Sequence, residues 1–190
     1  MRNIKITSRL LLLLFVFGVL LLFVIVFNIT KINQIADQST EFSVETMLEG
    51  QKQKLKVASD AMAIAIADRI KITANEDERE DIIRSMVENI RFESDNSGYF
   101  FVYRETKCIA LPTKKENVGK DLGDVKDPNG VFFVRELAQQ ASKGGGFVTY
   151  VFDKPGKGLV NKLSYSTMIP GTNTWIGTGV YIDNISEARR

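Results

Sequence analysis

The sequence predicts an α+β protein in which a long N-terminal helix packs on an antiparallel sheet of five strands. Three observations predict this fold class. The first is an unbroken apolar run from Leu10 to Phe27. The second is a stretch of good helix formers without proline from Lys31 to Ile72. The third is a series of alternating, strand-like runs between Gly98 and Ile182.

The apolar run contains only Leu, Phe, Val, Ile and one Gly. At the rise of an α-helix it covers roughly 27 Å, close to the hydrocarbon thickness of a bilayer. We interpret it as an uncleaved transmembrane helix over residues 10–29. The alternative is a cleaved secretory signal, but the apolar core of a signal is usually shorter, and no small-x-small cleavage site follows Asn28.

Charges on either side of this helix predict its orientation. Arg2, Lys5 and Arg9 precede it without any acidic residue, whereas Asp37 and Glu41 follow it. The basic flank of a spanning helix stays in the cytoplasm. The sequence therefore predicts a cytoplasmic tail over residues 1–9 and places the residues from about 31 onward outside the inner (plasma) membrane, in the periplasm or extracellular space.

The overall charge argues against a nucleic-acid partner. The chain has 25 Lys and Arg against 23 Asp and Glu, and without the three basic residues of the tail the balance is 22 against 23, or −1. Such a balance offers no basic surface for phosphates. We therefore predict no nucleic-acid binding.

Residues 30–74 read as a stalk and a long helix. From Leu55 to Ile70 the apolar positions recur every three or four residues, so one face is expected to be buried. Before Leu55 the spacing is irregular, which favours a solvated stalk or a parallel homodimer.

Residues 75–185 are predicted to form the folded core, and 186–190 the start of an exit segment. Asn75 and Glu78 are typical of a helix start. A later helix, after the turn at Asp127-Pro-Asn-Gly130, is expected to bury Phe132, Phe133, Leu137 and Ala138. The predicted strands are Tyr99–Arg104, Lys107–Leu111, Gly146–Phe152, Asn161–Met168 and Thr174–Tyr181.

Several ordered motifs in this core are similar to those of the single Cache domain, the extracellular sensor of bacterial chemoreceptors and sensor kinases. The motifs are Arg91-Phe92, Gly98-Tyr-Phe-Phe101, Leu111-Pro112, Gly119-Lys120, Asp127-Pro-Asn-Gly130, Gly146-Phe-Val-Thr-Tyr150, Lys162-Leu-Ser-Tyr165 and Trp175-Ile-Gly-Thr-Gly-Val-Tyr181. The resemblance covers about residues 80–185.

The resemblance implies a PAS-like fold with a pocket between the sheet and a flanking loop. It also implies a small extracellular ligand, most often a short carboxylic acid. Two departures from the family pattern imply a less polar pocket of different shape. Leu111 replaces a histidine, and Phe101 and Phe152 stand where tryptophan is frequent.

Lys162 is the main candidate for binding such a ligand. An unpaired buried ammonium is costly, so a lysine inside a strand must reach solvent or an anion. Its ammonium would meet a ligand carboxylate, with the hydroxyl of Tyr150 or Tyr165 completing the site. Tyr165 lies three residues away, and both side chains could contact one ligand only across a bulge or at a strand end. The alternative is an edge lysine that discourages strand pairing.

The remaining candidates each have a structural alternative. Arg91 is expected to clamp a carboxylate or to interact with a helix C-terminus. Phe101 is expected to line the pocket or to be plain core. Pro112 enters the site through the resemblance, next to Leu111.

Other chemistries find little support. The chain has no histidine and one cysteine, Cys108, which we expect in the core. We therefore predict no cofactor, no metal site and no enzyme activity. Lys143-Gly-Gly-Gly146 lacks the features of a phosphate loop. Asp121, Asp124 and Asp127 are interpreted as turn and cap residues rather than calcium ligands.

The predicted function is ligand sensing outside the membrane, on behalf of a chemoreceptor or sensor kinase. The ligand is expected to order the loop from Pro112 to Lys126 and to shift the sheet against the helix from Leu55 to Ile70. The alternative is a membrane-anchored binding or scaffolding protein without signalling output.

Overall fold

The computed structural model describes the backbone of residues 6–154 and 156–182, and the side chains of residues 13–31, 42–154 and 156–182. The first five residues of the predicted tail and the predicted exit segment lie outside the described residues. The chain divides into two compact units, one up to Glu45 and the other from Thr46 onward.

The first unit contains the N-terminal part of helix α1, which begins at Ile6 and ends at Ile70. Within it, the segment Leu13–Lys31 is long and apolar enough to cross a membrane, by length and composition. Its apolar side chains, such as Phe15 and Phe23, are exposed rather than packed against protein. This pattern is typical of a helix whose surroundings are lipid.

The second unit has the predicted order of elements. Helix α2 (Glu76–Val87) is followed by strands β1 (Phe100–Arg104) and β2 (Lys107–Ala110), helix α3 (Phe133–Ser142), and strands β3 (Gly146–Lys154), β4 (Gly158–Met168) and β5 (Thr174–Tyr181). A short 3₁₀ helix, Lys115–Asn117, lies in the predicted loop from Pro112 to Lys126. Asn75 caps α2 as predicted, because its side chain accepts from the backbone N–H of Asp77 at 2.8 Å.

The five strands form one sheet in the order β2-β1-β5-β4-β3, and every neighbouring pair is antiparallel. The predicted fold class is confirmed. Strand β4 pairs with β5 on one side and β3 on the other, so it lies inside the sheet. The interpretation of Lys162 as an edge lysine is therefore wrong.

Side chains of successive residues alternate between two covered faces of this sheet. One face, here called the α1 face, packs Phe100, Val102, Leu163 and Ile176 against α1 and α2. The other, the α3 face, carries the aromatic cluster that packs against α3 and the segment after β2. This cluster includes Tyr99, Phe101, Tyr103, Leu111, Phe133, Leu137, Tyr150 and Trp175.

Helix α3 buries a slightly different stripe from the one predicted. Phe133 and Leu137 are buried as expected, and Val134 and Ala141 complete the buried side. Ala138 is only partly buried, and so is Phe132, which precedes the helix. The Phe132 ring instead receives the side chains of Lys126 and Arg135, whose charges lie 4.5 and 4.7 Å from its centroid.

The segment after β2 is held in place at two points. Residues 111–118 form a loop closed at its base, where Gly119 donates to the Cys108 carbonyl at 2.8 Å and Cys108 donates to the Lys120 carbonyl at 2.9 Å. Further along, the buried Asp127 carboxylate accepts from the backbone of Val131 and Val151, both at 2.8 Å. The interpretation of Asp127 as a turn residue is confirmed, and so is the buried position of Cys108.

Candidate functional site

The buried lysine predicted from the sequence lies on the α3 face of the sheet. Lys162 is 0% exposed to solvent although it carries an ammonium group. Tyr150 on β3 and Tyr181 on β5 lie directly opposite it in the strand register. Directly paired residues on a sheet face have neighbouring side chains. The strand pairing therefore places one tyrosine on each side of Lys162.

Aromatic rings surround the ammonium. Its Nζ lies 4.1 Å from the ring centroid of Tyr99, 4.9 Å from Tyr181, 5.1 Å from Phe152 and 5.7 Å from Phe101. These distances fall in the range of cation–π interactions. We refer to Lys162 with these four rings as the lysine cage.

Within the cage, Lys162 Nζ donates a hydrogen bond to the Tyr99 hydroxyl at 2.8 Å. Among the residues that the structure describes, no carboxylate pairs with this ammonium. Since a lysine has three N–H donors and a buried charge is costly without a full partner set, the ammonium is under-satisfied.

The ammonium of Lys162 changes the pKa of the Tyr99 phenol. Burial alone would raise its pKa, but the charge of Lys162 and the hydrogen bond from it outweigh burial and lower the pKa below the ordinary tyrosine value. The nearby side chains of Thr113 and Tyr181 also lower this pKa. Thr113 belongs to the closed loop after β2, so this loop lies next to the cage.

A second pair of hydroxyls lies next to the cage. Tyr150 and Ser164 are buried and hydrogen-bonded to each other at 3.1 Å. Ser164 is two residues beyond Lys162 and therefore faces the same side of the sheet. The α3 face of β4 thus presents an ammonium followed by a hydroxyl, in an otherwise aromatic cluster.

The glycine-rich pattern of β5 leaves room for these side chains. A Cβ on Gly179 would lie 2.9 Å from Cε of Lys162 and 2.8 Å from the Leu163 carbonyl oxygen. A Cβ on Gly177 would lie 2.5 Å from the Phe101 ring. Both positions therefore require glycine because neighbouring atoms come too close for a Cβ. Neither requires it for an unusual backbone conformation.

The structure brings together three of the predicted site residues: Phe101, Tyr150 and Lys162. Tyr165 is on the opposite face, because β4 has no bulge between it and Lys162. Its hydroxyl donates to Asp60 of α1 at 3.3 Å, and Lys56 lies 3.5 Å from it. The sequence-based concern about its three-residue spacing from Lys162 is thus confirmed.

Arg91 and Pro112 also lie away from the lysine cage. Arg91 is exposed, and its guanidinium donates to the backbone carbonyls of Glu88 at 2.9 Å and Ile90 at 2.7 Å. That geometry matches the predicted alternative, a cation at a helix C-terminus. Pro112 lines a separate pocket between α2 and the closed loop.

Sequence reasoning did not select Tyr99, Thr113 or Tyr181. Tyr99 could have been found from alternation, because it is two residues before Phe101 and shares its face. Tyr181 required the register of β4 against β5, which the sequence does not contain. Thr113 required the path of the closed loop.

The described residues offer no alternative metal chemistry. Among them there is no group of three or more acidic, cysteine or histidine side chains that could hold a metal ion. Asp121 accepts from the Gly123 backbone at 2.8 Å, and Asp124 pairs with Arg135. Asp121 and Asp124 therefore stabilise the conformation of the loop through these contacts.

Comparison with known families and proteins identifies relatives of this chain. The family model described as "Single Cache domain 2" matches residues 43–190. The sensor histidine kinase MctS of Rhizobium johnstonii is 36% identical over 90 residues, which cover 46% of this chain and 20% of that protein. The methyl-accepting chemotaxis protein CtpM of Pseudomonas aeruginosa is 34% identical over 92 residues, covering 46% and 16%. The matched region is thus at most a fifth of these relatives.

Solved structures share the fold. A methyl-accepting chemotaxis protein from Vibrio parahaemolyticus has a TM-score of 0.68 at 27% identity, over 77% of this chain and 99% of the other. A periplasmic sensor domain of a chemotaxis protein has a TM-score of 0.63 at 28% identity, over 72% and 99%. A Cache chemosensory domain solved to explain carboxylic acid recognition has a TM-score of 0.63 over 73% and 98%; at 24% identity, this likeness concerns the fold alone.

Proposed function

The chain belongs to the single Cache domain 2 family, and from that premise we propose that its second unit senses a short carboxylic acid, bound by the Lys162 ammonium. Cache domains are the sensor domains of chemoreceptors and sensor kinases such as the relatives above. Beyond family membership, we propose the ligand class, the residue that binds the ligand and the signalling role of this chain.

The observation that carries the proposal is the fully buried ammonium without a carboxylate partner among the described residues. Removing one partner from a buried ion pair is strongly destabilising, because the remaining charge is uncompensated. Lys162 is in this state within the described structure. A ligand carboxylate would supply the missing negative charge through charge-assisted hydrogen bonds.

The surroundings of Lys162 favour a short ligand with an apolar body. Phe101 and Phe152 present ring surfaces around the ammonium, and neither offers a hydrogen bond. Leu111 is buried in the same aromatic cluster, where the family resemblance implies a histidine. The polar groups near the ammonium are the hydroxyls of Tyr99 and the Tyr150–Ser164 pair. These groups suit a single carboxylate better than a heavily hydroxylated molecule.

We propose that binding is relayed through strand β4. Lys162 lies on the α3 face, whereas its neighbour Leu163 packs with Leu55 of α1 on the other face. A small displacement of β4 would therefore change the packing of α1. Shifts of about 1–2 Å are typical of helix movements in receptors. The ligand can drive such a shift only if it binds one arrangement better than the other.

We also propose an orientation and an assembly. The basic N-terminal flank favours a cytoplasmic N-terminus with the sensor unit outside the membrane. On α1, Val57 and Ile64 are 57% and 63% exposed although both are apolar. They are two helical turns apart and thus lie on one side of the helix. A parallel homodimer through this side would bury them.

The test is thermal unfolding of the full chain in detergent with acetate, propionate, lactate and succinate. A ligand at about 100 times its Kd stabilises the folded state by about 2.7 kcal/mol. We expect at least one acid to do so, and Lys162→Met to abolish the effect while leaving the ligand-free protein at least as stable.

The matched control is Lys107→Met, since Lys107 is a half-exposed strand lysine whose ammonium lies 3.8 Å from Glu80. It should retain the full response. If Lys162→Met responds like the wild type, Lys162 is not the anchor. If no acid stabilises the wild type, the proposed ligand class is wrong.

A further inference from the structure

A pocket next to the closed loop shares no side chain with the lysine cage. It has a volume of about 220 Å³ and lies between α2 and the closed loop of residues 111–118. Its apolar lining comes from Ala110, Leu111, Pro112 and Val118. The family resemblance placed Pro112 in the ligand site with Lys162, whereas the structure assigns it to this pocket.

Charged side chains at this pocket already have partners. Lys115 of the loop pairs with Glu88, which follows α2. Arg84 pairs with Asp81 at 2.5 Å and with Glu80 at 3.4 Å. The pocket therefore presents apolar surface without an unsatisfied charge, in contrast to the lysine cage. An ion as ligand would have to break one of these pairs.

We infer that this pocket is a second ligand site, which takes a small uncharged molecule with an apolar body, such as a simple aromatic or branched aliphatic compound. The size supports this class, because an engineered apolar cavity of about 150 Å³ binds benzene. A pocket of about 220 Å³ accommodates benzene with one or two additional methyl groups. Burial of the apolar body is the driving force.

The pocket is already partly open to solvent and can widen without unfolding. The Lys115–Glu88 pair connects the loop to α2, and these side chains are 67% and 45% exposed. Exposed ion pairs contribute little to stability, so they separate readily. The closed base of the loop at Cys108 and Gly119 stays intact when its outer part moves. Access therefore requires only a local movement of the loop.

This inference does not depend on the carboxylate proposal. The two sites share the segment from Leu111 to Thr113, since Leu111 lines the pocket and Thr113 lies close enough to Tyr99 in the cage to lower its pKa. Their ligands differ in charge, however, and a substitution at Lys162 leaves the pocket lining unchanged. Failure of one proposal can thus be distinguished from failure of the other.

The test is a titration of the full chain in lipid nanodiscs with toluene, followed by methyl NMR of Ala110, Leu111 and Val118. We expect saturable shifts at these methyl groups, and smaller or non-saturating changes at Leu163, which packs on the α1 face. Val118→Phe should fill the pocket and weaken toluene binding by about tenfold or more.

Val125→Phe is the matched control, because Val125 follows the same loop, is 41% exposed and does not line the pocket. It should bind toluene like the wild type. Ala110→Val, which narrows the pocket from the sheet side, is the second variant should Val118→Phe not fold. Lys162→Met should bind toluene normally.

Three results would overturn the inference. They are linear, non-saturating shifts up to the solubility of toluene, equal shifts at the pocket and at Leu163, and undiminished saturable binding in both pocket-filling variants.

Discussion

The two faces of the sheet differ most clearly at two adjacent residues of β4. Leu163 points to the α1 face, where it packs with Leu55, Tyr165 and Val180. Lys162 points to the α3 face, where an ammonium is buried among aromatic rings. The same strand therefore contributes ordinary apolar packing to one face and an under-satisfied charge to the other.

This difference indicates that the two faces have different roles, one in stability and the other in ligand binding. The α1 face gains stability from apolar burial, which is the main favourable term in folding. The α3 face gives up part of that stability by burying Lys162 and several hydroxyls. Proteins retain such costly groups where a ligand or a mechanism requires them. The two faces should therefore respond differently to substitution.

The largest expected effect on stability is on the α1 face. Leu163→Ala removes a side chain that is 4% exposed, and such truncations cost about 2–5 kcal/mol. Ligand-induced stabilisation should persist, because the Leu163 side chain lies on the face opposite the cage. Urea unfolding with and without the stabilising acid measures both quantities. If Leu163→Ala keeps its stability but loses the ligand response, the α1 face contributes to ligand binding rather than to stability.

Tyr99→Phe should have the next largest effect. It removes the hydroxyl that accepts from Lys162 and leaves the buried ammonium without that partner, at a cost of about 1.5–3 kcal/mol. In the Lys162→Met background the same substitution should cost much less, because no charge remains to be satisfied. A double-mutant cycle by urea unfolding measures this coupling. Equal costs in both backgrounds would show that the hydrogen bond contributes nothing.

Gly179→Ala should disturb the lysine cage through packing alone. The added methyl would approach Cε of Lys162 and the Leu163 carbonyl at less than 3 Å, and overpacking of this kind costs about 1–3 kcal/mol. It should also weaken ligand binding, because the Lys162 side chain must move.

The control for this substitution is Gly50→Ala on α1, where an added methyl meets nothing within 4 Å. Alanine in a helix is better than glycine by about 0.5–1 kcal/mol, so the control should be slightly stabilising. If Gly179→Ala unfolds at the wild-type urea concentration and binds ligand normally, the close approach at Gly179 has no consequence.

The smallest expected effect concerns alkaline pH. Burial raises the pKa of the Cys108 thiol to about 11 from its ordinary value, an effect only partly offset by the hydrogen bond with Tyr103. The folded state thus holds this proton longer than the unfolded state. The contribution is fully present below pH 9.0 and is lost as the pH rises towards 11.

Cys108→Ala should therefore lose less stability than the wild type between pH 9 and pH 10, by about 1 kcal/mol. Urea unfolding at both pH values measures the difference. Burial also raises the pKa of Tyr103, and the neighbouring Cys108 raises it further, so Cys108→Ala reduces this contribution in the same direction. Identical pH dependence in the two proteins would show that the thiol ionises equally in the folded and unfolded states.

Short runs rich in aromatic and β-branched residues explain why much of this fold was predictable. Phe100–Arg104 and Thr174–Tyr181 are buried at every position except the last, so composition and length predicted them better than alternation of buried and exposed residues. The absence of proline allowed α1 to be predicted as one long element. Alternation of side-chain direction along a strand raised the question of Tyr165, which the structure answers by placing that residue against Asp60.

Register and loop path explain what the sequence could not show. Tyr181 reaches the cage because β4 and β5 pair Lys162 with it, and pairing between distant strands is not encoded locally. Pro112 does not reach the lysine cage, because the loop turns back and closes at Gly119 instead of continuing across the sheet. The resemblance identified the family, but Leu111 and its apolar setting belong to this chain.

The closed base of the loop at Cys108, Gly119 and Lys120 has a consequence for how recognition can change. Because the residues between 110 and 119 begin and end at the same point of the sheet, they form a cassette that can be exchanged without altering any strand pairing. A chimaera that receives only this cassette from a relative should keep the fold of the recipient and acquire part of the ligand preference of the donor.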